Sequence, residues 1–179
     1  MRNVTILVGS PRPDGNTVTM AGILARHLPD AEVPIIHLSD LEFGPCIDCR
    51  GCKARKQVCI LPDDMRPLYD RLEAADAIVV GTPIYWYGPT AQTKLLLDRL
   101  RPYYANRGMA GKKLALMLPA GSGPGDCDLT IDMFRRAAVA LGMDYLGAAC
   151  ATAYDIGDVE KDAEALAELE NLAQRIGRD

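Results

Sequence analysis

The chain has 179 residues, of which 49% are hydrophobic, so it is long enough to bury the core of one domain. Its formal net charge of -4 and isoelectric point near 5.2 argue against a basic surface for nucleic acid or for an anionic membrane. No apolar run reaches the roughly 18 residues of a membrane span, and the first apolar stretch is too short for a secretory signal. We therefore expect a cytoplasmic protein without nucleic-acid or membrane partners.

Short apolar runs alternate with helical patterns from one end of the chain to the other. The predicted strands span residues 3–9, 32–38, 76–83, 112–120 and 143–151, and the predicted helices span residues 15–28, 64–74, 90–101, 128–141 and 159–177. Successive parallel strands need crossover connections, which the helices supply. The pattern predicts a doubly wound α/β fold, a parallel sheet with helices on both faces.

We expect one domain over residues 1–179, because no repeat or low-complexity linker divides the chain. One cysteine-rich segment departs from the alternation, as an insertion at residues 43–63 between the second strand and the second helix. In such sheets, ligands bind beyond the carboxyl ends of the strands. The three loops expected at that edge cover residues 9–17, 82–90 and 120–126.

The first of these loops, GSPRPDGNT, lies between a strand and a helix, where backbone N–H groups can hold an anion. Ser10, Asn16 and Thr17 add neutral donors, and Arg12 adds a positive charge. The spacing is neither that of a dinucleotide fingerprint nor that of a triphosphate loop, so a single phosphate monoester fits better. The alternative is an ordinary turn with a helix cap.

The second loop, TPIYWYGPT, places three aromatic residues in a row at the end of a strand. A planar ring could stack on this apolar surface, and Pro83, Gly88 and Pro89 fix the loop around it. The alternative is an aromatic patch at a subunit interface.

The third loop, AGSGPGD, contains glycines that allow the backbone to approach a ligand closely.

Four of the six cysteines lie in the stretch CIDCRGCKARKQVC, as Cys46, Cys49, Cys52 and Cys59. Iron-sulfur clusters use four cysteine sulfurs, and a 4Fe-4S cluster is one interpretation of this spacing. Zinc accepts the same ligands, although its structural sites usually have two separated CxxC pairs. A loop that holds no metal is a third interpretation, and disulfides are disfavoured in a reducing compartment.

The remaining polar residues give little support to other chemistry. Both histidines, His27 and His37, lie outside the three loops, so a histidine-dependent hydrolase is poorly supported. Asp63 is expected to cap a helix, and Asp98 and Arg99 to make surface or subunit contacts.

The pairing of GSPRPDGNT with TPIYWYGPTAQTKLLLDRL resembles the NAD(P)H-dependent FMN reductase branch of the flavodoxin-like superfamily. With CIDCRGCKARKQVC followed by LPDDM, the chain is most similar to the iron-sulfur flavoproteins of that branch. The resemblance implies a five-stranded parallel sheet of order 2-1-3-4-5. It also implies a set of FMN-binding residues: Ser10, Arg12, Asn16 and Thr17 at the phosphate, Pro83, Ile84, Tyr85 and Trp86 at the isoalloxazine ring, and Gly121 and Ser122 beside it.

The resemblance implies an oxidoreductase that takes hydride from NAD(P)H on flavin N5, with no catalytic protein residue, because the cofactor carries the reaction. Electrons would pass to a small acceptor (flavin, quinone or an iron-sulfur cluster) or to a redox partner protein. Two alternatives stay open, a non-enzymatic iron-sulfur electron carrier and a zinc-stabilised binding module. We also expect a homodimer or homotetramer, partly from the resemblance and partly because an exposed aromatic run is costly to leave in water.

Overall fold

The computed structural model of this chain describes residues 1–55 and 59–178. Strands and helices alternate through these residues, as the sequence predicts. The strands are β1 (Arg2–Val8), β2 (Ala31–Glu32), β3 (Ile35–His37), β4 (Ala77–Gly81), β5 (Lys113–Ala120) and β6 (Asp144–Thr152). The helices are α1 (Asn16–Arg26), α2 (Gly51–Arg55), α3 (Met65–Ala74), α4 (Ala91–Arg99), α5 (Arg101–Asn106), α6 (Asp128–Leu141) and α7 (Ala163–Gly177), with short 3-10 turns at Leu38–Asp40, Pro124–Cys127 and Asp158–Lys161.

All strands pair in parallel in the order β2-β1-β4-β5-β6, with β3 also paired to β1. The flavodoxin-like fold is confirmed, with one correction to the predicted five strands. The second predicted strand, residues 32–38, is split into β2 and β3, which gives six strands. Pro34 lies at the break, because it has no N–H to donate to a neighbouring strand. Its carbonyl still accepts a hydrogen bond from the Ile6 N–H at 3.0 Å.

The opposite edge strand, β6, is also irregular. The pairing with β5 shifts between Leu114 and Ala115, which face Tyr145 and Gly147, so that Leu146 is an extra residue in β6. Gly147 has φ +125, a conformation that side chains other than glycine rarely adopt. The extra residue forms a β-bulge.

Helices bury both faces of the sheet, because side chains of a strand point alternately to opposite faces. Ile6 joins the core formed with α1 and α7, whereas Leu7 joins the core formed with α3, α4 and α6. Each fully buried side chain of this size contributes about 1.5 to 3 kcal/mol relative to exposure. The two cores hold the carboxyl ends of β1, β4 and β5 at one edge. Within the described ranges, none of the helices has the length and apolar character needed to cross a membrane.

Candidate functional site: a cleft at the strand ends and a cysteine cavity

A cleft of about 490 Å³ opens at the carboxyl ends of the strands, between the three loops singled out in the sequence. Nine of the ten predicted cofactor residues line it: Ser10, Arg12, Asn16, Thr17, Pro83, Ile84, Tyr85, Gly121 and Ser122. Trp86 is the exception, because its side chain is 96% exposed and is not part of the cleft wall. The topology thus brings together residues that lie more than one hundred positions apart.

The first loop is a compact turn held against α4. The Ser10 hydroxyl accepts a hydrogen bond from the Arg12 N–H at 3.1 Å, and the Thr90 hydroxyl donates to the Gly9 carbonyl at 2.6 Å. A Cβ atom at Gly9 would lie 1.8 Å from Thr93 Oγ1, so only glycine allows this approach. Gly15, the residue before α1, offers no side-chain cap. The Gly15 carbonyl accepts from the Val18 and Thr19 N–H groups, so the N–H groups of Asn16 and Thr17 are left for an anion.

The Asn16 side chain has a role that the sequence did not predict. Its amide NH₂ donates to the Asp155 carbonyl at 2.8 Å, and its oxygen accepts from the Gly157 and Val159 N–H groups at 3.1 and 3.3 Å. These bonds fix the loop that follows β6 over the cleft. Asn16 can therefore offer its backbone N–H to a ligand, while its side chain shapes the wall.

Residues of the loop after β6 are the ones that sequence reasoning missed. Tyr154, Asp155 and Ile156 all line the cleft, and Asp126 joins them from the third loop. Tyr154 packs beside Gly121, where a Cβ atom would lie 3.0 Å from the tyrosine ring. Their position after the last predicted strand could have indicated that they line the cleft, because that strand ends at the same edge of the sheet as the others.

A tight turn divides the aromatic run of the second loop. Tyr85 and Gly88 exchange two backbone hydrogen bonds, of 2.8 and 3.1 Å, and the two residues between them have left-handed φ angles of 52° and 62°. This is the pattern of a type I′ turn, which normally carries asparagine and glycine. Tyr85 stays at the cleft, whereas Trp86 and Tyr87 reach outward, with Tyr87 57% exposed. The turn therefore separates Tyr85, which lines the cleft, from the two aromatic residues that face outward.

The four clustered cysteines converge on a second, much smaller cavity of about 20 Å³ beside α4 and α5. Cys52 and Cys59 are each 9% exposed, Cys46 is partly buried and Cys49 is exposed, and all four are free thiols. Residues 56–58 of the predicted 43–63 insertion lie outside the described residues. Within the described parts of the chain, no three histidine, cysteine or acidic side chains are arranged to hold a metal ion. The four thiols nevertheless share one cavity, and their number and chemistry fit a cluster or zinc.

The sequence predicted that Arg99 makes a surface or subunit contact, and this prediction is wrong. Arg99 is 1% exposed and lines the cysteine cavity. Its guanidinium donates to both oxygens of Asp63 at 2.6 and 2.9 Å and to the Gly44 carbonyl at 2.9 Å. Asp63 also accepts from the Met65 N–H at 3.2 Å, although the N-cap position itself is Asp64 and not Asp63 as predicted. Asp98 does lie at the surface, where it pairs with Lys94 at 2.7 Å. Arg99 thus clamps both ends of the inserted loop.

Two residues that contact Arg99 have shifted pKa values, for different reasons. Burial raises the pKa of Asp63, but the hydrogen bonds and charge of Arg99 outweigh it and hold this pKa below the ordinary value of 3.8. Burial also raises the pKa of Tyr69, whose hydroxyl donates to the Arg99 carbonyl at 2.7 Å. Asp63 is therefore ionised, and Tyr69 neutral, at physiological pH.

Of the two cysteines outside the cluster, Cys127 is not placed as a reactive group. Cys127 is fully buried, and its thiol lies 3.6 Å from the Leu118 carbonyl. A hydrogen bond to Cys150 and burial together raise the pKa of Cys127 well above its ordinary value. Cys150 is partly buried and packs against the core. A thiol that stays protonated in an apolar setting is chemically inert.

A larger open cavity of about 960 Å³ lies at the opposite end of the sheet, near the start of β1. Lys112 there donates to the carbonyls of Glu73 and Ala75 at 2.7 and 2.6 Å. This cavity lies at the amino ends of the strands, away from the loops where ligands bind in doubly wound sheets. The cleft at the carboxyl ends is therefore the candidate site despite its smaller volume.

The sequence profile of the NADPH-dependent FMN reductase family matches residues 2–155 of this chain. The chain belongs to this family. It is an FMN-reductase-type oxidoreductase, and the resemblance seen in the sequence is confirmed. Flavoproteins of this family use FMN and NAD(P)H, which agrees with a cleft built from the three strand-end loops.

Curated relatives of this flavoprotein include several iron-sulfur flavoproteins. One from Methanocaldococcus jannaschii is 29% identical over 94% of this chain and 92% of its own length. Another, from Methanosarcina thermophila, is 31% identical over 80% of this chain and 76% of its own length. The match to one from Archaeoglobus fulgidus is 35% identical, over 63% of this chain and about half, 51%, of that protein.

Solved structures show the same fold. An NADH:FMN oxidoreductase in its apo form has a TM-score of 0.70 and 21% identity, over 98% of this chain and 88% of that one. An NAD(P)H:quinone oxidoreductase from Methanothermobacter marburgensis has a TM-score of 0.74 and 16% identity, over 99% of this chain and 96% of that one.

Proposed function

We propose that this flavoprotein binds FMN in the cleft at the strand ends, takes reducing equivalents from NAD(P)H, and passes them to a small acceptor such as free flavin or a quinone, or to an iron-sulfur cluster. The observation that carries the proposal is the convergence of nine predicted residues on one cleft. Its volume of about 490 Å³ lies within the range of ordinary cofactor pockets. Bound FMN would supply the hydride-accepting chemistry, so the protein needs no acid-base pair of its own.

We propose that the first loop binds the phosphate. Arg12 supplies the charge, the Ser10 hydroxyl a neutral donor, and the uncapped amides at the start of α1 further N–H groups. The Thr90 and Thr93 contacts with Gly9 hold this loop in place before any ligand arrives. A site that is already ordered loses little conformational freedom on binding.

We propose that the second and third loops bind the ring. Pro83, Ile84 and Tyr85 supply an apolar wall, and Gly121 and Ser122 line the cleft from the third loop. Trp86, which the sequence also assigned to the ring, would act through the subunit interface, because its side chain stands outside the cleft. This arrangement leaves the chemistry to the cofactor.

We further propose that Cys46, Cys49, Cys52 and Cys59 hold a 4Fe-4S cluster. The support is the shared cavity of the four thiols and the similarity to proteins named iron-sulfur flavoproteins. Such a cluster would supply a one-electron centre beside the flavin site. In this proposal, residues 1–179 form a single FMN-binding domain, and the 43–63 insertion serves only to carry the cluster.

Anaerobic expression tests both cofactors in one preparation. The spectrum of bound FMN should show bands near about 370 and 450 nm, and NADH or NADPH should bleach them. Turnover with added FMN and with a quinone then identifies the acceptor class. A colourless protein that fails to take up FMN would overturn the flavin proposal. Iron and sulfide analysis tests the cluster separately, since less than about one iron per chain with FMN still bound would leave a simple flavin reductase.

A further inference from the structure

Arg99 places a buried positive charge on the wall of the cysteine cavity. Its side chain shares this cavity with Cys46, Cys49, Cys52 and Cys59. Two guanidinium nitrogens are used by Asp63 and Gly44, as described above. Asp63 therefore fixes the orientation of the planar group, because a bidentate pair leaves little rotational freedom.

The third nitrogen of this guanidinium has no partner. Within the described parts of the chain, Arg99 Nε is one of two buried side-chain nitrogen or oxygen atoms without a hydrogen bond. A buried donor without an acceptor is costly, so native structures rarely keep one. A missing acceptor in a ligand cavity points to an acceptor that arrives with the ligand. The four thiols around this cavity, and any cluster they hold, offer sulfur as that acceptor.

We propose that Arg99 donates its Nε–H to a sulfur of the cluster held by the four cysteines, and thereby raises the reduction potential of that cluster. This inference rests on the proposed cluster site. Hydrogen bonds to the sulfurs and nearby charge are among the factors that set the potential of such clusters. Each added electron makes the cluster more negative, so a buried donor stabilises the reduced form more than the oxidised form. Arg99 thus acts on the cluster directly, through its potential, and takes no part in hydride transfer.

Asp63 explains why the chain can keep this cation buried when no cluster is bound. The ion pair neutralises the guanidinium, with N···O contacts of 2.6 and 2.9 Å, and an unpaired buried charge would be far more costly. Arg101, by contrast, lines the same cavity but is 48% exposed and pairs with Asp48 at 2.7 Å. Solvent screens such an exposed charge, so the two arginines form a matched pair for a test.

The test compares the wild type with Arg99→Lys and Arg101→Lys, all expressed anaerobically and analysed for iron. Lysine keeps the positive charge but cannot reproduce the Nε donor. We expect equal iron contents and, for Arg99→Lys, a potential lower by about 59 mV, a tenfold change in the one-electron equilibrium constant. Arg101→Lys should change that constant less than about twofold. Equal shifts in both variants, or none in either, would overturn the proposal.

A second measurement, of the nitrogen coupled to the cluster, starts from the wild-type protein and does not depend on a variant that folds. In wild-type protein containing arginine labelled with ¹⁵N at Nε, pulsed electron paramagnetic resonance of the reduced cluster should detect one coupled nitrogen. The coupling should persist in Arg101→Lys and vanish in Arg99→Lys. A wild-type protein with its full iron but no coupled nitrogen would overturn the role of Arg99 and leave the cluster proposal intact. A wild-type protein without iron would instead refute the cluster, and the role of Arg99 with it.

Discussion

Arg12 is the cationic side chain of the cleft wall, and its contribution can be measured alone. We expect Arg12→Ala to weaken FMN binding by about 10- to 150-fold, because a charge-assisted hydrogen bond to phosphate contributes about 1.5 to 3 kcal/mol. Turnover of the fully loaded enzyme should change little, since the phosphate is remote from the ring. Fluorescence titration of the apo-protein measures the affinity, with Arg136→Ala, an exposed arginine on α6, as control. Unchanged affinity would show that the first loop is only a turn.

The Asp63–Arg99 pair should give the protein a defined response to acid. The pKa of Asp63 in the folded chain is below 3.8, so its contribution to stability is fully present above that pH and is lost as the pH falls through the lower value. We expect Asp63→Asn to lower the free energy of unfolding by about 3 kcal/mol at pH 7, the low end for breaking a buried ion pair. The difference between the two proteins should shrink below about pH 4.

Urea unfolding at pH 7, 5 and 3.5 measures this difference, in the presence of a chelator so that loss of metal does not contribute. Lys94→Gln serves as the control, because it breaks the exposed pair with Asp98 on the same helix and should cost less than about 0.5 kcal/mol. A difference that stays constant down to the lowest pH would contradict the assignment of Asp63 as the titrating group.

Most residues that line the cleft could be predicted from the sequence, because strand ends meet at one edge in any doubly wound sheet. The burial of Arg99 could not be predicted in this way. Its partner Asp63 lies 36 positions earlier, and in LLLDRL the arginine follows an aspartate that does face solvent. The bonds from Asn16 to the loop after β6 span 139 positions or more, and no local pattern encodes them. Contacts of this length depend on the whole fold.

Helices and strands show the same division between local and long-range signals. Apolar periodicity predicted α1, α3, α6 and α7 because each buries one face. The predicted helix at residues 90–101 instead ends at Arg99, and α5 follows at Arg101–Asn106. Pro102 accounts for the break, because it has no N–H to donate to the carbonyl four residues earlier. The short helix α2 in the cysteine loop has too few residues to show a period.

The contact between the first loop and α4 should tolerate no side chain at Gly9. We expect Gly9→Ala to destabilise the fold by about 1 to 3 kcal/mol, the usual cost of overpacking, because the added methyl would lie 1.8 Å from Thr93 Oγ1. FMN affinity should fall with it. Gly125→Ala in the third loop is the matched control, since its added methyl meets no atom within 4 Å. Thermal unfolding and FMN titration of both variants test this prediction. Equal unfolding temperatures and equal FMN affinities in the two variants would contradict it.

At the scale of the whole molecule, the outward aromatics predict an assembly. We propose that Trp86 and Tyr87 lie at an interface of a homodimer or homotetramer, because their strained turn places them in solvent in the single chain. Light scattering should give a mass of at least twice the 19.4 kDa of one chain. Replacing the pair by asparagine and glycine, Trp86→Asn with Tyr87→Gly, should weaken the assembly while relaxing the turn.

The control for this prediction is Val139→Ser on α6, which removes an apolar side chain that is 76% exposed, on a helix surface rather than at a loop tip. We expect its mass in solution to match the wild type. A wild-type mass near that of one chain at micromolar concentration would refute the assembly. An unchanged mass in the double variant would instead show that the interface does not depend on this turn.

The irregular edges of the sheet determine which kind of aggregate this chain avoids. Amyloid fibrils and domain-swapped aggregates begin at long, flat edge strands that offer a row of unpaired N–H and C=O groups. Here one edge is cut into two short pieces at Pro34, and the other is kinked by the extra residue Leu146. Both edges are therefore poorer templates for another copy than a long flat strand, so a concentrated solution of this protein should resist forming filaments.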